Sequence, residues 1–359
     1  MNLNQFMREG VNGIMKTVGR SYLSNKAGRS FLLDMLPRIK KSALLRERNE
    51  AEGTHVPPFL IASIASQCNL HCAGCYARSG GTCSDGGSAQ DLGADEWGSV
   101  FAEASELGVS FVLLAGGEPL MRRDVINVAA RQRDMIFPVF TNGTMIDDDY
   151  LSLFEECHNV VPVLSIEGDA EATDRRRGFG VHREIEKVMG ELKRRKILFG
   201  TSITVTKDTL HEVTSPEFLS NVREKGCGVT FYVEYVPTEA GTEHLTLSED
   251  DLAVMASAIG DLKERFGDVA ILSFPGDEEA MGGCLASGRG FFHVNPQGGA
   301  EPCPFSPYAK HNVRNDSLKA ILRSQYFSDI RTISAQAGAH TGGCVLFKRE
   351  DEVRALMAG

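Results

Sequence analysis

Three cysteines in one short loop are the residues of this chain best suited to chemistry. The segment Ser66–Tyr76 places Cys68, Cys72 and Cys75 with three and then two residues between them. Thiolates select zinc or an iron–sulfur cluster. Three thiolates on a four-iron cluster leave one iron open to a ligand, whereas zinc would need a fourth ligand such as His71. The loop therefore predicts a metal centre, and an open iron position would make it reactive.

The whole chain holds nine cysteines among 359 residues. Its first residues lack the charged-then-apolar layout of a secretory signal, and no apolar run of about 18 residues would span a membrane. We therefore expect a cytoplasmic protein, where cysteines serve metal ligation more often than disulfides.

The elements that must position the cysteine loop alternate between strand and helix from residue 58 onward. Apolar, β-branched runs predict six strands at 59–65, 110–115, 137–141, 160–166, 197–206 and 229–236. Stretches with helical periodicity lie between them at 94–107, 123–134, 147–156, 182–195 and 209–225. The cysteine loop follows the first strand, at the carboxyl end where barrel folds carry their chemistry.

Strands joined by helices predict a parallel sheet, because each crossover must pass over one face and return. A full barrel would need eight such units. The regular spacing ends after residue 237. The sequence therefore predicts an α/β fold, a partial (β/α)6 TIM-like barrel with N-terminal helices and a cysteine-containing C-terminal region. The expected domains are residues 1–57, 58–237 and 238–359.

The N-terminal segment is basic and amphipathic. Apolar residues at roughly helical spacing predict two helices, interrupted near Asn25–Gly28 and bent or ended near Pro37. Residues 1–49 hold ten basic and three acidic residues, a net charge of +7. The segment is interpreted as a helical prelude packed on the main domain, or as a basic surface for a membrane or an acidic partner.

The rest of the chain is acidic. The total of −10 less the +7 of residues 1–49 leaves a net charge of −17. An acidic body argues against general nucleic-acid binding.

The cysteine loop and the strand pattern resemble the radical S-adenosylmethionine (SAM) superfamily, over roughly residues 58–237. The resemblance implies a [4Fe–4S] cluster on Cys68, Cys72 and Cys75, whose open iron chelates SAM. It also implies reduction by a partner such as flavodoxin or ferredoxin, and cleavage of SAM to methionine and a 5′-deoxyadenosyl radical. The cofactor carries that chemistry, and the protein positions and shields it.

Further positions match SAM-binding positions of the family. Gly116-Gly117-Glu118-Pro119 is similar to its GGEP motif, whose backbone meets the SAM amino group, and glycine allows that close approach. Ser165 and Glu167 end the fourth strand, where the family often contacts the ribose and methionine of SAM. Asn142 and Ser202 are weaker candidates, since polar groups at strand ends also cap loops and helices.

One position departs from the family pattern. The residue before the third cysteine is usually aromatic or bulky and contacts adenine, but it is Gly74 here. Either Tyr76 takes that contact, or the adenine pocket is lined differently.

A second set of cysteines resembles the SPASM and Twitch auxiliary-cluster domains. Thirteen residues separate Cys284 from Gly298, and four more precede Cys303, with Cys344 further on. Three cysteines are too few for two auxiliary clusters, so the resemblance implies one second [4Fe–4S] cluster, in a small C-terminal Fe–S domain. Its fourth iron would bind substrate or one of four side chains: Asp277, Glu278, His293 or His340. A zinc site or ordinary buried cysteines are the alternatives.

The remaining cysteines have simpler expected roles. Cys157 and Cys227 are expected to be core thiols. Cys83 is expected to be an exposed loop cysteine, with a role as a fourth auxiliary ligand or reactive residue as the alternative. Other polar residues at or beyond strand ends could meet substrate: Arg175–Arg177, His182, Glu234 and Tyr235. The arginine run could also pair with the carboxylate of SAM or with an anionic substrate, although a charge run is more often a solvated face.

The sequence thus predicts a radical SAM oxidoreductase that abstracts hydrogen from a substrate it does not identify. A peptide or protein side chain and a small molecule rank equally, and a lipid ranks lower. The auxiliary cluster would bind substrate or accept an electron. The alternative is a non-catalytic Fe–S electron carrier or metal-binding interaction protein, which would need neither the GGEP run nor a barrel.

Overall fold

The computed structural model describes residues 26–274, 283–335 and 344–357, together with Val11, Met15 and Gly19. Helix α1 (Lys26–Ala51) precedes the first strand. The alternating region that follows consists of these elements: β1 (Phe59–Ala65), α2 (Tyr76–Ser79), α3 (Ala94–Leu107), β2 (Phe111–Gly116), α4 (Arg123–Arg131), β3 (Phe137–Thr141), α5 (Asp148–Glu156), β4 (Val160–Ile166), α6 (Ala170–Arg177), α7 (Val181–Arg194), β5 (Phe199–Val205), α8 (Leu210–Val213), α9 (Pro216–Glu224) and β6 (Cys227–Glu234).

The six predicted strands are present in this order, and the helix predicted at 94–107 has the predicted bounds. The helix predicted over 209–225 is instead two short helices. Ser215 caps α9 by accepting a hydrogen bond from the Phe218 amide, and Pro216 occupies its first turn. A serine cap followed by proline starts a new helix rather than continuing the old one.

The strand-and-helix pattern continues past residue 237, beyond the point where the sequence spacing breaks down. The further elements are α10 (Glu249–Arg265), β7 (Ala270–Phe274), β8 (Phe291–Val294), β9 (Gly299–Glu301), β10 (His311–Asn312), α11 (Leu318–Arg323), α12 (Gln325–Ala335), α13 (Val345–Lys348) and α14 (Glu350–Met357). Two short 3-10 helices lie at Pro119–Met121 and Glu243–Leu245.

The ten strands among the described residues form one sheet in the order β10-β9-β8-β1-β2-β3-β4-β5-β6-β7. Strands β1 to β7 are parallel to their neighbours, and β8 is parallel to β1. Strands β9 and β10 add antiparallel pairs at the β8 edge. The sheet is not closed, since β7 and β10 are its edges, so the predicted partial α/β barrel is confirmed. The C-terminal region shares the same sheet, and its separation at 237/238 stays a prediction.

Helix α1 closes the amino end of the barrel. Its buried Leu32, Met35 and Ile39 pack with residues at or next to the first residue of a strand, such as Phe111 and Ala270. The opposite, carboxyl ends carry the loops with the predicted site. Packing therefore supports the interpretation of the N-terminal segment as a prelude docked on the main domain.

The helix runs through Gly28 and Pro37 without ending at either. This helix begins at Lys26, within the range Asn25–Gly28 where the sequence predicts an interruption. Asn25 lies outside the described residues, so the interruption itself stays a prediction. Packing on the barrel offsets the missing backbone hydrogen bond of proline. Further contacts hold the helix in place: Arg38 pairs with Asp134, and Arg46 donates to the Gly108 carbonyl.

The outward face of α1 is partly apolar. Leu33 and Leu44 are 74% and 66% exposed, and the neighbouring Lys40 and Lys41 are also exposed. None of the described helices is long and apolar enough to cross a lipid bilayer.

Candidate active site

One cavity of about 310 Å³ lies at the carboxyl ends of the strands and gathers most of the predicted site. All six predicted metal ligands line it: Cys68, Cys72, Cys75, Cys284, Cys303 and Cys344. Most of the predicted SAM-contacting residues line it as well: Tyr76, Gly116, Gly117, Glu118, Asn142, Ser165 and Ser202. Pro119 and Glu167 are not among the residues that line the cavity. The fold therefore brings two cysteine sets from distant parts of the chain to one space.

Backbone hydrogen bonds fix the loop with the first three cysteines. The Ala73 amide donates to the Arg176 carbonyl at 2.9 Å, and the Arg176 side chain donates back to the Ala73 carbonyl at 3.2 Å. Arg78 donates to the carbonyls of Cys68 and Leu70. The loop is thus held from α6 and from α2 while its thiols stay on the cavity wall.

His71 is turned away from the three thiols. Its side chain is 67% exposed, and its Nε2 lies 2.9 Å from Asp85. It is therefore placed as a surface residue and not as a fourth ligand of a zinc site.

The first thiols have different electrostatic surroundings. A hydrogen bond from Cys83 lowers the pKa of Cys68 to about 6, and the Leu70 amide with Arg78 and Arg177 adds to the effect. Burial raises the pKa of Cys72, although Arg177 and Arg176 oppose that rise. Arginines close to the loop therefore favour thiolates, the form that ligates metal.

Cys83 is buried and not exposed, so the expectation of an exposed loop cysteine is wrong. Its side chain is 7% exposed and hydrogen-bonds to Cys68. The Cys83 amide donates to the Ala77 carbonyl at 2.9 Å, which folds the Gly-rich loop back over α2. This contact depends on the course of the loop, so spacing alone does not reveal it.

The glycines after β2 lie where side chains would not fit. Gly116 has a φ of +131°, and a Cβ there would meet the backbone of Ala65. A Cβ on Gly117 would lie 2.6 Å from the Gln67 carbonyl carbon and 2.9 Å from Cys83 Sγ. The second strand end can therefore lie against the cysteine loop only with glycine at both positions.

Glu118 is a buried carboxylate that joins two strand ends. Its Oε1 accepts from the Leu120 amide at 3.0 Å and from Thr141 Oγ1 at 2.7 Å, and its Oε2 accepts from the Asn142 amide at 2.8 Å. Burial raises its pKa to about 7, although these three hydrogen bonds favour the ionised form. Asn142 in turn donates to Asn69 of the cysteine loop at 2.8 Å.

Ser165 and Ser202 are adjacent in the sheet, as partners in the pairing of β4 with β5, and both line the cavity. Glu167 has a different setting. Its carboxylate pairs with Arg176 and Arg177 and accepts from the Thr204 amide at 3.2 Å. Its predicted contact with SAM stays a prediction.

The run of arginines after β4 is only partly solvated. Arg175 is an exposed partner of Glu171, whereas the side chains of Arg176 and Arg177 are 18% and 11% exposed. Arg176 and Arg177 also line the cavity. A charge run is usually a solvated face, and the buried Glu167 explains why two of these residues turn inward.

The C-terminal cysteines line the same cavity and lie close to one another. Cys284 and Cys303 are buried, and Cys344 is half-buried. A hydrogen bond with Cys344 raises the pKa of Cys303, and its burial and the charge of Cys284 raise it further.

Of the candidate fourth ligands, only His293 lies within the described residues. Its Nε2 is 2.8 Å from Ser63 Oγ and its Nδ1 is 2.7 Å from Glu301. Both ring nitrogens are therefore engaged in the core. Three other candidates, Asp277, Glu278 and His340, lie outside the described residues.

The donor sets fit iron–sulfur clusters. Each set offers three thiols, which is the ligand chemistry of a four-iron cluster with one open iron. Among the described residues, no three His, Cys, Asp or Glu side chains are arranged to hold a single metal ion. A cluster is less demanding, because its thiolates bind different iron atoms. Cys227 is a buried core thiol as expected, donating to the Val229 carbonyl at 3.1 Å.

Residues 63–215 match the Radical SAM superfamily. The chain is 26% identical over 296 residues to an AdoMet-dependent heme synthase of Methanosarcina barkeri, covering 75% of this chain and 82% of that protein. It is 24% identical over 283 residues to a PqqA peptide cyclase of Rhizobium meliloti, covering 74% of each.

Solved structures share the fold. SuiB of Streptococcus suis bound to S-adenosylmethionine aligns with a TM-score of 0.67 at 16% identity, over 88% of this chain and 75% of that one. The structure of anSMEcpe with bound AdoMet and a Cp18Cys peptide aligns with a TM-score of 0.60 at 17% identity, over 84% and 96%.

Proposed function

We propose that this chain, whose residues 63–215 match the Radical SAM superfamily, cleaves SAM reductively and abstracts a hydrogen atom from a substrate. The substrate is a peptide or protein side chain or a small molecule. We further propose that Cys284, Cys303 and Cys344 hold an auxiliary [4Fe–4S] cluster. Both named relatives are enzymes, one acting in heme synthesis and one on a peptide.

The observation that carries the proposal is the shared cavity. Cysteines from the loop after β1 and from the C-terminal region line one space, although more than 200 residues separate Cys75 from Cys284 along the chain. A non-catalytic electron carrier would need clusters but no enclosed space between them. An enclosed space is what a radical reaction needs, since water and side reactions must be kept out.

The first cysteine set would supply the reductive cleavage. A cluster bound there would donate the electron that splits SAM into methionine and a 5′-deoxyadenosyl radical. The chain's own residues bind and orient: the glycines after β2 allow close approach of the main chain, and Ser165 and Ser202 offer hydroxyls from adjacent strands. Glu118 holds the ends of β2 and β3 together.

Part of the cavity wall suits an apolar part of the substrate. Aromatic and aliphatic side chains form much of this surface: Ile61, Leu113, Phe140, Phe231, Phe274 and Phe291. The removal of a hydrogen atom from an unactivated carbon requires that carbon to lie in such a dry, shaped site.

The test is anaerobic reconstitution followed by iron counting and an assay for 5′-deoxyadenosine after reduction with SAM. We expect about eight iron atoms per chain for two four-iron clusters. Replacement of Cys68, Cys72 and Cys75 by alanine should leave about four and abolish 5′-deoxyadenosine. Replacement of Cys284, Cys303 and Cys344 should also leave about four, with uncoupled SAM cleavage retained.

Two outcomes would contradict the proposal. If wild-type protein binds zinc and forms no 5′-deoxyadenosine, the radical chemistry is wrong. If wild-type protein holds about four iron atoms and the C-terminal triple variant loses none, the auxiliary cluster is wrong while the first cluster stands.

Two partners complete the proposal. A reducing protein such as flavodoxin or ferredoxin would supply electrons. The basic segment 1–49, with exposed Leu33 and Leu44 beside lysines on α1, would contact a membrane surface or an acidic partner. Binding of the protein to anionic vesicles, compared with a Leu33→Ser/Leu44→Ser variant, tests the membrane contact.

A further inference from the structure

Cys83 lies beside the first cysteine set without being one of its proposed ligands. Its thiol shares a hydrogen bond with the thiol of Cys68, and its side chain is 7% exposed. The proposed function assigns Cys68 to the first cluster and assigns no role to Cys83. Two thiols in contact can form a disulfide once one of them is oxidised.

Backbone pairing holds the segment of Cys83 against the segment of Cys68. Gln67 and Ser84 form a parallel β-bridge, and the Ser84 amide donates to the Ser66 carbonyl at 2.9 Å. Cys68 and Cys83 are the chain neighbours of the two bridge residues. The contact between their thiols therefore follows from the course of the backbone and not from a chance side-chain orientation.

The two thiols differ in their access to small molecules. Cys83 is enclosed, since a Cβ at the neighbouring Gly117 would lie only 2.9 Å from its Sγ. Cys68 is half-buried and lines the cavity. A small oxidant from the cavity would therefore reach Cys68 first. An accessible thiol beside a second thiol is the arrangement of a redox-sensitive cysteine and its resolving cysteine, the one that closes the disulfide.

The other two cysteines of the loop can pair with each other. Two residues separate Cys72 from Cys75, the spacing of reversible dithiol–disulfide motifs. Their pairing in a chain without a cluster would leave Cys68 as the one ligand of the loop without a partner. Cys83 supplies that partner from outside the ligand set.

We propose that Cys83 is the resolving cysteine of Cys68, so that oxidation of Cys68 by a peroxide in the cluster-free chain ends in a reversible Cys68–Cys83 disulfide. This inference rests on the proposed function, which makes Cys68 a cluster ligand. The peroxide converts the Cys68 thiol to a sulfenic acid and is itself reduced to water. The Cys83 sulfur then attacks the Cys68 sulfur. An S–S bond replaces the S–O bond, and a second water leaves with the Cys83 proton.

The disulfide protects the ligand set of the first cluster. A sulfenic acid without a partner thiol is oxidised further to a sulfinic acid, which thiols do not reduce. A disulfide returns to two thiols by exchange with a reducing thiol. A chain that has lost its cluster could therefore recover Cys68 and take up iron and sulfide again.

The test treats the full-length, cluster-free chain with hydrogen peroxide, then with dithiothreitol, and then reconstitutes it without oxygen. Wild type is compared with Cys83→Ala and Cys83→Ser. Cys157→Ala is the matched control, because Cys157 is a half-buried thiol outside both cysteine sets. Peptide mass spectrometry before dithiothreitol identifies the oxidation product at Cys68, and iron is counted after reconstitution. Circular dichroism confirms that each variant is folded before treatment.

We expect the Cys68–Cys83 disulfide in wild type and in Cys157→Ala, with iron uptake restored by dithiothreitol. Both Cys83 variants should instead carry a sulfinic acid at Cys68. After treatment they should hold about four iron atoms fewer per chain than wild type treated in the same way, the loss of one cluster. Without peroxide, all variants should take up as much iron as wild type.

Three outcomes would overturn the inference. The first is an equal yield of sulfinic acid at Cys68 in wild type and in Cys83→Ala. The second is a disulfide from Cys68 to Cys72 or Cys75 in place of the link to Cys83. The third is a loss of iron in the untreated Cys83 variants, which would make Cys83 a cluster ligand. Untreated wild type that takes up no iron would instead refute the proposed function, since the peptide mapping does not depend on a cluster.

Discussion

At the scale of single residues, Glu118 is held by donors on both carboxylate oxygens. A glutamine there would turn its NH2 group toward at least one of those donors. We therefore expect Glu118→Gln to lower the free energy of unfolding by about 1–3 kcal/mol despite its equal size. Equilibrium unfolding in urea measures this, with the exposed Glu52→Gln as the control. Equal stability of the two variants would contradict the prediction.

The same residue predicts a dependence of stability on pH. Burial raises the pKa of Glu118 from 4.5 to about 7, so the folded protein binds this proton more tightly than the unfolded chain. The stabilisation is complete below the unfolded value and is lost as pH rises to about 7. The wild-type protein should therefore lose stability relative to Glu118→Gln between about pH 5 and pH 7. A constant difference between their unfolding free energies across that range would show that Glu118 does not titrate there.

Replacement of Cys83 should change the midpoint potential of the first cluster. Its thiol hydrogen-bonds to Cys68, and hydrogen bonds to ligand sulfur stabilise the reduced cluster. We expect Cys83→Ala to shift the midpoint potential of the first cluster by about 30–60 mV to more negative values, the equivalent of one such bond. Potentiometric titration followed by EPR measures the shift, with the half-buried Cys157→Ala as the control. Equal potentials in both variants would exclude the hydrogen bond as a source of tuning.

At the scale of elements, the contact between β1 and β2 depends on Gly116. A side chain there would be strained by the φ of +131° and would overlap the Ala65 backbone. We expect Gly116→Ala to destabilise the protein by about 2–3 kcal/mol and to reduce cluster retention. Gly260→Ala, in α10 with no atom within 4 Å of its Cβ, should instead stabilise by about 0.5–1 kcal/mol. Thermal unfolding of both variants would show whether the change in stability depends on the backbone geometry at each position or only on the loss of a glycine.

The elements also show what the sequence could predict. Strands β1 to β6 were predictable because apolar runs alternate with helical periods, and the cysteine loop because its spacing is specific. Strand β8 has only four residues and pairs with β1 across more than 200 residues, so no local pattern marks it. Tyr235 likewise packs against Gly74 of the cysteine loop although the two residues are far apart in the sequence, so no local pattern reveals that contact. Helix α1 does not end at Pro37, one of the two outcomes that the sequence predicts there, because tertiary packing outweighs the local cost of proline.

At the scale of the whole molecule, the barrel and the C-terminal region share one sheet. Phe292 of β8 is fully buried and is the register partner of Leu60 in β1. We expect Phe292→Ala to lower the free energy of unfolding by about 3–5 kcal/mol and to do so in a single transition. Far-UV and near-UV circular dichroism should give the same midpoint. Separate midpoints would mean that the two regions unfold independently. The control is Phe179→Ala, because Phe179 is 99% exposed in the wild-type protein.

The closure of the amino end by α1 has a kinetic consequence. Leu32, Met35 and Ile39 pack at that end, and the cavity lies at the opposite, carboxyl ends of the strands. Entry and exit from the carboxyl side would be ordered: the ligand that binds deepest would arrive first and depart last. Residence times of successive ligands would then be coupled, so that a slowly leaving outer molecule sets the pace of turnover for the inner one.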